Sequence, residues 1–337
     1  MARRQRMASW LEQVWYGTRP LERTLLLPLS ALFCAVAKYR RKKLTAVQRS
    51  FSTPIIIVGN IAVGGTGKTP LTMRLVQLLQ QNGYRPGIVS RGYGSQSDKA
   101  MPKPVTYQNK PEDVGDEALM MAVSTGVPVV VSVDRPNAVS YLLENYDVNM
   151  VLADDGLQHY ALGRDIEIAV VDGSRRLGNG YCLPAGPLRE KPERLHECDF
   201  VVCNGRAEQG EYAMKIRGSW LVSVQNKRVS RPLTEFSGKA VHVVTGIGNP
   251  GRFVATLQGA GLQCTTHFYP DHYLFQGDEF CFADNSPILM TEKDAVKCQQ
   301  FADDKTQNCW YLPVKAELDE GFEQAFLQKV KELTING

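Results

Sequence analysis

A two-domain α/β protein, with a mainly parallel sheet in its larger domain, is predicted by three features of this sequence. Short β-branched runs alternate with amphipathic stretches from Pro54 onward. A glycine-rich turn, Gly64-Gly65-Thr66-Gly67-Lys68-Thr69, stands between one such run and the first amphipathic stretch. A later apolar run ends in adjacent carboxylates, Asp154-Asp155. At 337 residues the chain has room for two domains of about 150 residues each.

The first element is an apolar segment. Trp10, Trp15 and Tyr16 precede the stretch Thr24 to Ala37, which is closed by the basic run Lys38-Tyr39-Arg40-Arg41-Lys42-Lys43. Residues 1–50 carry eleven Lys or Arg against Glu12 and Glu22, a net +9, within a total charge of +4. Aromatic residues, an apolar middle and a cationic end suit a segment lying in one leaflet of a membrane surface, its cations at anionic headgroups. As a helix the apolar stretch reaches about 21 Å, short of a hydrocarbon core of roughly 30 Å, so a spanning helix is not expected. A buried core helix is the competing reading. A signal peptide is a weaker one: Arg3, Arg4 and Arg6 precede an apolar region ending in Ala35-Val36-Ala37, but a basic run would directly follow cleavage. Nucleic-acid binding is disfavoured, because the basic excess is confined to the segment that also carries the apolar run.

The remaining elements follow in order. Ile55 to Val58 reads as a strand, and a helix is predicted from about Thr69 to Asn82, with Leu71, Leu75, Leu78 and Leu79 on one face and Gly83 as its stop. Strands are predicted at Gly87 to Ser90, Val127 to Val133, Asn149 to Ala153, Ile166 to Val171 and Phe200 to Cys203. Such alternation implies a mainly parallel sheet with helices on both faces. Tyr212 to Ile216 and Trp220 to Val224 flank Gly218-Ser219 and read as a β-hairpin linker. A second, smaller α/β domain follows, with strands near Val241 to Thr245, Gln263 to Phe268, Ile288 to Met290 and Trp310 to Val314, and a last helix from about Glu320 to Leu333. The predicted divisions are an amphipathic segment over 1–45, a core domain over 46–205, the linker over 206–238 and a carboxy-terminal domain over 239–337. Eight scattered cysteines without a CxxC pair read as reduced thiols of a cytosolic protein.

Strand, glycine-rich turn and helix form the setting in which Gly-Lys-Thr cradles phosphate. The glycines let backbone N–H groups face phosphate oxygens, and the helix amino terminus adds positive potential. Lys68 would reach the β and γ phosphates, and Thr69 would offer its hydroxyl to Mg²⁺. The usual first glycine of the pattern is replaced by Ala62. Asp154 and Asp155 are candidates for the Mg²⁺ shell, since paired carboxylates at a strand end are costly without a cation. No Asn-Lys-x-Asp follows the loop, which favours ATP over GTP. The loop is also similar to that of partition and septum-site ATPases, but these carry a lysine where this chain has Val63. Gly246-Ile247-Gly248-Asn249-Pro250-Gly251 matches a dinucleotide fingerprint only formally, because Pro250 removes a donor N–H.

Taken together, the motifs resemble the tetraacyldisaccharide 4′-kinase family of lipid A biosynthesis across nearly the whole chain. The resemblance rests on Val58-Gly59-Asn60 through Pro70, Ser90-Arg91-Gly92-Tyr93-Gly94, Val114-Gly115-Asp116-Glu117, Asp154-Asp155-Gly156-Leu157-Gln158-His159, Leu183 through Glu190, Pro270-Asp271-His272-Tyr273 and Thr291-Glu292-Lys293-Asp294. The family's own loop lacks the usual first glycine, which accounts for Ala62. The resemblance implies ATP and Mg²⁺ as cofactors, and transfer of γ-phosphate to the 4′-hydroxyl of a tetraacyldisaccharide 1-phosphate. The work would be done at the cytoplasmic face of a bacterial inner membrane, with no obligate protein partner.

By resemblance Asp116 is the base, paired with His272 from the second domain, so catalysis would need the two domains to close. Read from sequence alone, Asp116 is equally a helix N-cap. Glu117 joins the candidate Mg²⁺ shell, while Gln158, His159 and Arg91 are candidates for phosphate or acceptor contacts. Arg189 is a candidate phosphate clamp, or else an ion-pair partner of Glu190 or Glu193. A soluble P-loop small-molecule kinase and a membrane-recruited ATPase switch remain the other classes that fit part of the pattern.

Overall fold

The computed structural model describes residues 10–17, 19–93, 101–298, 301 and 306–335. Arg3, Arg4, Arg6 and Gly94 lie outside the described residues. The chain forms two compact units, one of Met1–Val89, Asp147–Lys215 and Leu318–Gly337, the other of Ser90–Tyr146 and Ile216–Glu317. The linear division expected at 205 and 239 is therefore replaced by an interleaved one. Parallel strands are joined by crossovers, and a crossover can carry a whole packing unit between two strands that pair.

In the first unit, parallel strands stand in the order Tyr212–Arg217, Phe200–Asn204, Ile166–Asp172, Ile55–Gly59, Met150–Asp154 and Pro86–Ser90. Ile55–Gly59 and Met150–Asp154 are buried at every position, as befits parallel strands covered on both faces. The helix Lys68–Gln81 buries Leu71, Leu75, Leu78 and Leu79, the face read from its period. The last helix, Glu320–Ile335, buries Phe322 and Phe326, both of which meet the ring of Phe200 edge-on. The register pairs Val58 with Asp154, which brings the acidic strand end level with the start of the glycine-rich loop.

The second unit holds a six-stranded sheet in the order Ser230–Pro232, Trp220–Ser223, Cys309–Leu312, Ile288–Thr291, Ala240–Thr245 and Gln263–Phe268. Its last four strands pair in parallel, and Trp220–Ser223 pairs antiparallel with both of its neighbours. Leu221, Val243, Phe253, Leu257 and Leu289 form one core cluster of this unit, and Val244, Phe275, Phe280 and Met290 belong to another. The same unit contains the helices Asp116–Thr125 and Arg135–Asn145.

The expected hairpin linker does not form. Tyr212–Arg217 pairs in parallel with Phe200–Asn204, whereas Trp220–Ser223 pairs antiparallel with Ser230–Pro232 and Cys309–Leu312, in a different sheet. A turn signal between two alternating runs says that the chain bends, not that the runs pair. Side-chain burial against distant strands decides the partner.

The amino-terminal helix is longer than its apolar stretch alone. Residues 10–16 are helical, and a second helix spans Pro20–Thr45, taking in both the apolar stretch and the basic run. Its 26 residues reach about 39 Å because the helix continues through the basic run, so it passes for a membrane-crossing helix by length and composition alone. It is not a core helix, because none of its apolar side chains is buried. One face packs on the first unit: Ser30 Oγ donates to the Cys182 carbonyl at 2.7 Å, and Phe33 and Cys34 meet the cluster of Ala62, Cys182 and Leu188. Arg41 pairs with Glu197 farther along. The opposite face is an exposed apolar stripe of Leu21, Leu25, Leu29, Leu32, Val36 and Tyr39.

Candidate active site

The glycine-rich loop adopts a conformation its glycines make possible. Gly64 and Gly67 have φ of 120° and 100°, values that a side chain would strain. Gly67 caps the helix Lys68–Gln81 without a side-chain bond, so the first helical N–H groups remain available to an anion. Ala62 serves where the usual pattern has glycine because it bridges Leu188 across an antiparallel contact, and Val63 N donates to the Pro187 carbonyl at 2.8 Å. No left-handed residue is needed at that point.

Lys68 Nζ lies 3.3 Å from Asn60 Oδ1 and 3.5 Å from Asp155 Oδ1. Thr69 Oγ1 is 3.5 Å from Asp154 Oδ2, and Thr72 Oγ1 donates to Asp154 Oδ1 at 3.0 Å. Asp154 is buried, so its polar atoms call for partners, and these hydroxyls are among them. Thr66 Oγ1 is buried with no hydrogen-bond partner among the described residues. Hard oxygen donors from Thr69 and Asp154 side by side fit Mg²⁺, which is commonly bound by one or two protein oxygens with phosphate and water completing the octahedron.

Arg189 does not pair with Glu190 or Glu193. Its Nη1 donates to both oxygens of Asp155, at 3.1 and 3.3 Å, and to Gln158 Oε1 at 3.3 Å. Gln158 Nε2 donates to Glu190 Oε1 at 2.9 Å and to the Asn60 carbonyl at 3.1 Å. Glu190 also accepts from the Tyr160 hydroxyl. Burial, reinforced by this carboxylate, pushes the Tyr160 phenol well above its ordinary value and keeps it a donor. The first unit thus brings together Lys68, Thr69, Asp154, Asp155, Gln158 and Arg189. His159 is half-buried beside them, and its carbonyl accepts from Arg164 Nη2 at 2.7 Å.

Asp116 opens the helix Asp116–Thr125, behind Gly115, whose φ of 89° and close approach to the Tyr93 carbonyl exclude a side chain. Gly115, not Asp116, is the N-cap. The Asp116 carboxylate is buried and accepts from His272 Nδ1 at 2.9 and 3.0 Å and from Glu117 N at 2.9 Å. His272 sits in the left-handed region, at φ 61°, a conformation rare for its type and sustained by its surroundings. Its backbone N donates to Asp271 Oδ1 and to the Gly246 carbonyl, and its ring lies 4.7 Å from that of Tyr93.

Glu117, expected near Mg²⁺, accepts from Lys293 Nζ at 3.0 Å; the same ammonium reaches Asp271 Oδ1 at 3.1 Å. Burial would raise the Asp116 pKa, but the bond from His272 and the charges of Lys293, His272 and Lys297 outweigh it and hold the carboxyl below its ordinary value. Lys293 is held well above its ordinary value: burial works against its charge, and Glu117, Asp116 and Asp271 overcome that. Arg91 is exposed in this unit. The second unit therefore brings Asp116 and His272 together and adds Lys293 and Lys297.

Sequence reasoning missed Asn60, Thr72, Asn204 and the two lysines. Asn204 Nδ2 donates to the Thr66 carbonyl at 3.0 Å, holding the loop from the end of a neighbouring strand. The visible signal for it was a polar residue closing an apolar run, the form that singled out Asp154. For Lys293 the signal was the Thr291-Glu292-Lys293-Asp294 motif, quoted above without a role; Lys297 lies beyond that motif and had no signal.

A family model described as "Tetraacyldisaccharide-1-P 4'-kinase" matches residues 22–331. A tetraacyldisaccharide 4′-kinase of Nitrosococcus oceani is 47% identical over 330 residues, covering 96% of this chain and 95% of that protein. One from Shewanella denitrificans is 45% identical over 335 residues, covering 97% and 98%. The crystal structure of the LpxK of Aquifex aeolicus in complex with ATP superposes with a TM-score of 0.75 at 27% identity, covering 92% of this chain and 99% of that one. With a nucleotide cradle of P-loop NTPase type and matches of this extent, the chain belongs to the tetraacyldisaccharide-1-P 4′-kinase family.

Proposed function

We propose that this protein is an ATP-dependent lipid kinase that transfers the γ-phosphate of ATP to the 4′-hydroxyl of tetraacyldisaccharide 1-phosphate in lipid A biosynthesis. The observation that carries this reading is a buried carboxylate bonded to an imidazole, Asp116 and His272, in a chain that also has a complete phosphate cradle. A switch ATPase needs the cradle alone; a kinase acting on a sugar hydroxyl also needs a base.

In the transfer, loop N–H groups and Lys68 hold the β and γ phosphates, and Arg189 neutralises charge spreading over the transferred group. Thr69 and Asp154 would hold Mg²⁺, which would offset the negative charge of the phosphates. Asp116, kept ionised at rest, accepts the proton of the 4′-hydroxyl as its oxygen attacks phosphorus. His272 orients the carboxylate and stabilises it through Nδ1–H. Gln158, His159 and Arg91 are assigned to the acceptor and its phosphate.

The enzyme works on the cytoplasmic face of the bacterial inner membrane, where ATP is available, and binds it as a monotopic protein. The leucine stripe of Pro20–Thr45 supports this, with cations around its carboxy-terminal end. The packed face argues against crossing the bilayer, because from Ser30 to Arg41 the helix is bonded along its length to the first unit. An acceptor whose acyl chains stay in the bilayer is reached from such a position.

The test is transfer of labelled γ-phosphate from ATP to tetraacyldisaccharide 1-phosphate in detergent micelles. Labelled lipid that vanishes in Lys68→Met is expected. Folded, ATP-binding protein that yields no labelled lipid overturns the assignment.

A further inference from the structure

Lys297 is the least accessible cation of the second unit's site. It is 1% exposed and its Nζ lies 2.9 Å from Asp294 Oδ1, 3.5 Å from Asp116 Oδ2 and 5.5 Å from the centre of the Phe275 ring. Its carboxylate partner Asp294 is wholly buried and fixed by the sheet. Thr245 Oγ1 and Thr291 Oγ1 each donate to Asp294 Oδ2 at 2.7 Å, and Gly246 N donates to the same carboxylate. Thr245 and Thr291 end two strands of the six-stranded sheet, so Asp294 is anchored at the carboxyl ends of both. A chain of contacts thus runs from the sheet through Asp294 and Lys297 to Asp116.

The two oxygens of Asp116 are treated differently. Oδ1 takes the backbone N–H of Glu117 and the shorter bond from His272. Oδ2 faces the ammonium groups of Lys297 at 3.5 Å and Lys293 at 3.9 Å. Lys293 is shared with Glu117 and Asp271, on its more open side. Lys297 has Asp294 and Asp116 as its ion-pair partners. A buried carboxylate lacking such a cation would turn away or take a proton, and in either case would no longer present a charged oxygen to an incoming hydroxyl.

We propose that Lys297, locked by Asp294, is a positioning residue for the phosphoryl transfer: it holds Asp116 Oδ2 in place and in its charged form for the acceptor hydroxyl. The inference rests on the reading of Asp116 as the base. It gives a role to the Thr-Glu-Lys-Asp motif: Thr291 and Asp294 form the anchor, and the residue three positions beyond Asp294 is the cation.

The experiment is a double-mutant cycle between Lys297→Gln and Asp116→Asn in the full-length protein, with kcat and both KM values measured in micelles. Lys297→Gln keeps a hydrogen bond to Asp294, and Lys297→Arg keeps the charge. Lys297→Gln is expected to lower kcat by about 10- to 100-fold, with KM for ATP and for the acceptor within about threefold of wild type. Lys297→Arg recovers part of the loss. In the Asp116→Asn background, Lys297→Gln changes kcat by less than about threefold, because the group it serves is gone. The proposal is overturned if Lys297→Gln keeps wild-type kcat, or if its loss multiplies undiminished onto that of Asp116→Asn, as general structural damage would. If Lys297→Gln melts below the assay temperature, the same cycle is run with Lys297→Arg, and an undiminished product there overturns it equally. An Asp116→Asn enzyme with wild-type kcat would instead sink the reading of the base itself.

Discussion

The phosphate cradle and the base centre are built in opposite ways. In the cradle, Gly64 through Thr69 are contiguous, most contacts come from backbone or neutral groups, and the loop conformation follows from left-handed glycines. In the base centre, Asp116, His272, Lys293 and Lys297 come from distant stretches, and the Asp116 carboxylate, buried and bonded to the His272 ring, faces two ammonium groups. A cradle for a mobile anionic ligand needs donors left open toward solvent. A base must have its charge defined before the substrate arrives, which requires counter-charges fixed by the fold. The difference teaches that a phosphate cradle can be set by a contiguous loop, while a base centre depends on residues brought together from distant parts of the chain.

The largest expected effect tests the base centre. Asp116→Asn should lower kcat by about 10²- to 10⁴-fold while ATP binding, followed by equilibrium titration, stays near wild type. Equal loss of both would make Asp116 a nucleotide ligand and erase the contrast drawn above.

Next is the membrane-facing stripe, which belongs to neither centre. Leu25→Glu with Leu32→Glu removes two exposed leucines, each contributing about 1.5–3 kcal/mol when buried in lipid, so vesicle binding should fall by at least about 100-fold. Turnover of micellar substrate should fall far less. Unchanged cosedimentation with anionic vesicles would remove the stripe from the membrane contact.

A smaller effect probes how the cradle is held. Asn204→Ala deletes the donor to the Thr66 carbonyl, and a lost buried hydrogen bond of about 1–2 kcal/mol should raise KM for ATP roughly 5- to 30-fold with kcat little changed. A fall in kcat alone would mean that the loop carbonyl is held by something else.

The smallest is a pH effect far from the base. His242 Nδ1 and His267 Nε2 are 3.0 Å apart, and His242 Nε2 meets Asp284 Oδ1 at 2.8 Å. Burial and then the charge of His242 hold the His267 imidazole below its ordinary value of 6.5. The folded state therefore binds fewer protons at this site than the unfolded one, so the stabilisation is present above about pH 6.5 and is lost as pH falls through and below it. Hydrogen-exchange protection of Ala240–Thr245 and Gln263–Phe268 should drop between about pH 7.5 and pH 5.5, and His267→Gln should flatten that dependence. A pH response identical in the variant would place the titrating group elsewhere.

Much of this was legible beforehand where chemistry is contiguous. The loop, the helix behind it and the strand ending in Asp154 were each readable, because a 3.6-residue period, a run of β-branched residues and a glycine cluster are local signals. Asp116 and His272 were reached only through resemblance, since no local signal separates a base from a helix-start carboxylate. Thr72 and Asn204 were missed because nothing in a single threonine or asparagine says which neighbouring strand it will face. In the amino-terminal segment, given as residues 1–45, the reach was reckoned from the apolar stretch without the basic run that closes it. Lysine and arginine are good helix formers, and the helix runs through them to Thr45.

The sequence by itself determined the alternation that makes a parallel sheet, the conformation of the phosphate loop and the cationic apolar character of the first fifty residues. Only the tertiary structure decided that the chain interleaves two units, that Tyr212–Arg217 and Trp220–Ser223 join different sheets, and that two lysines flank one oxygen of Asp116. The reason is range. Backbone preference and side-chain period act over a few residues, whereas strand pairing and buried charge compensation are settled among residues far apart in the chain, by which contacts leave the fewest polar groups unsatisfied.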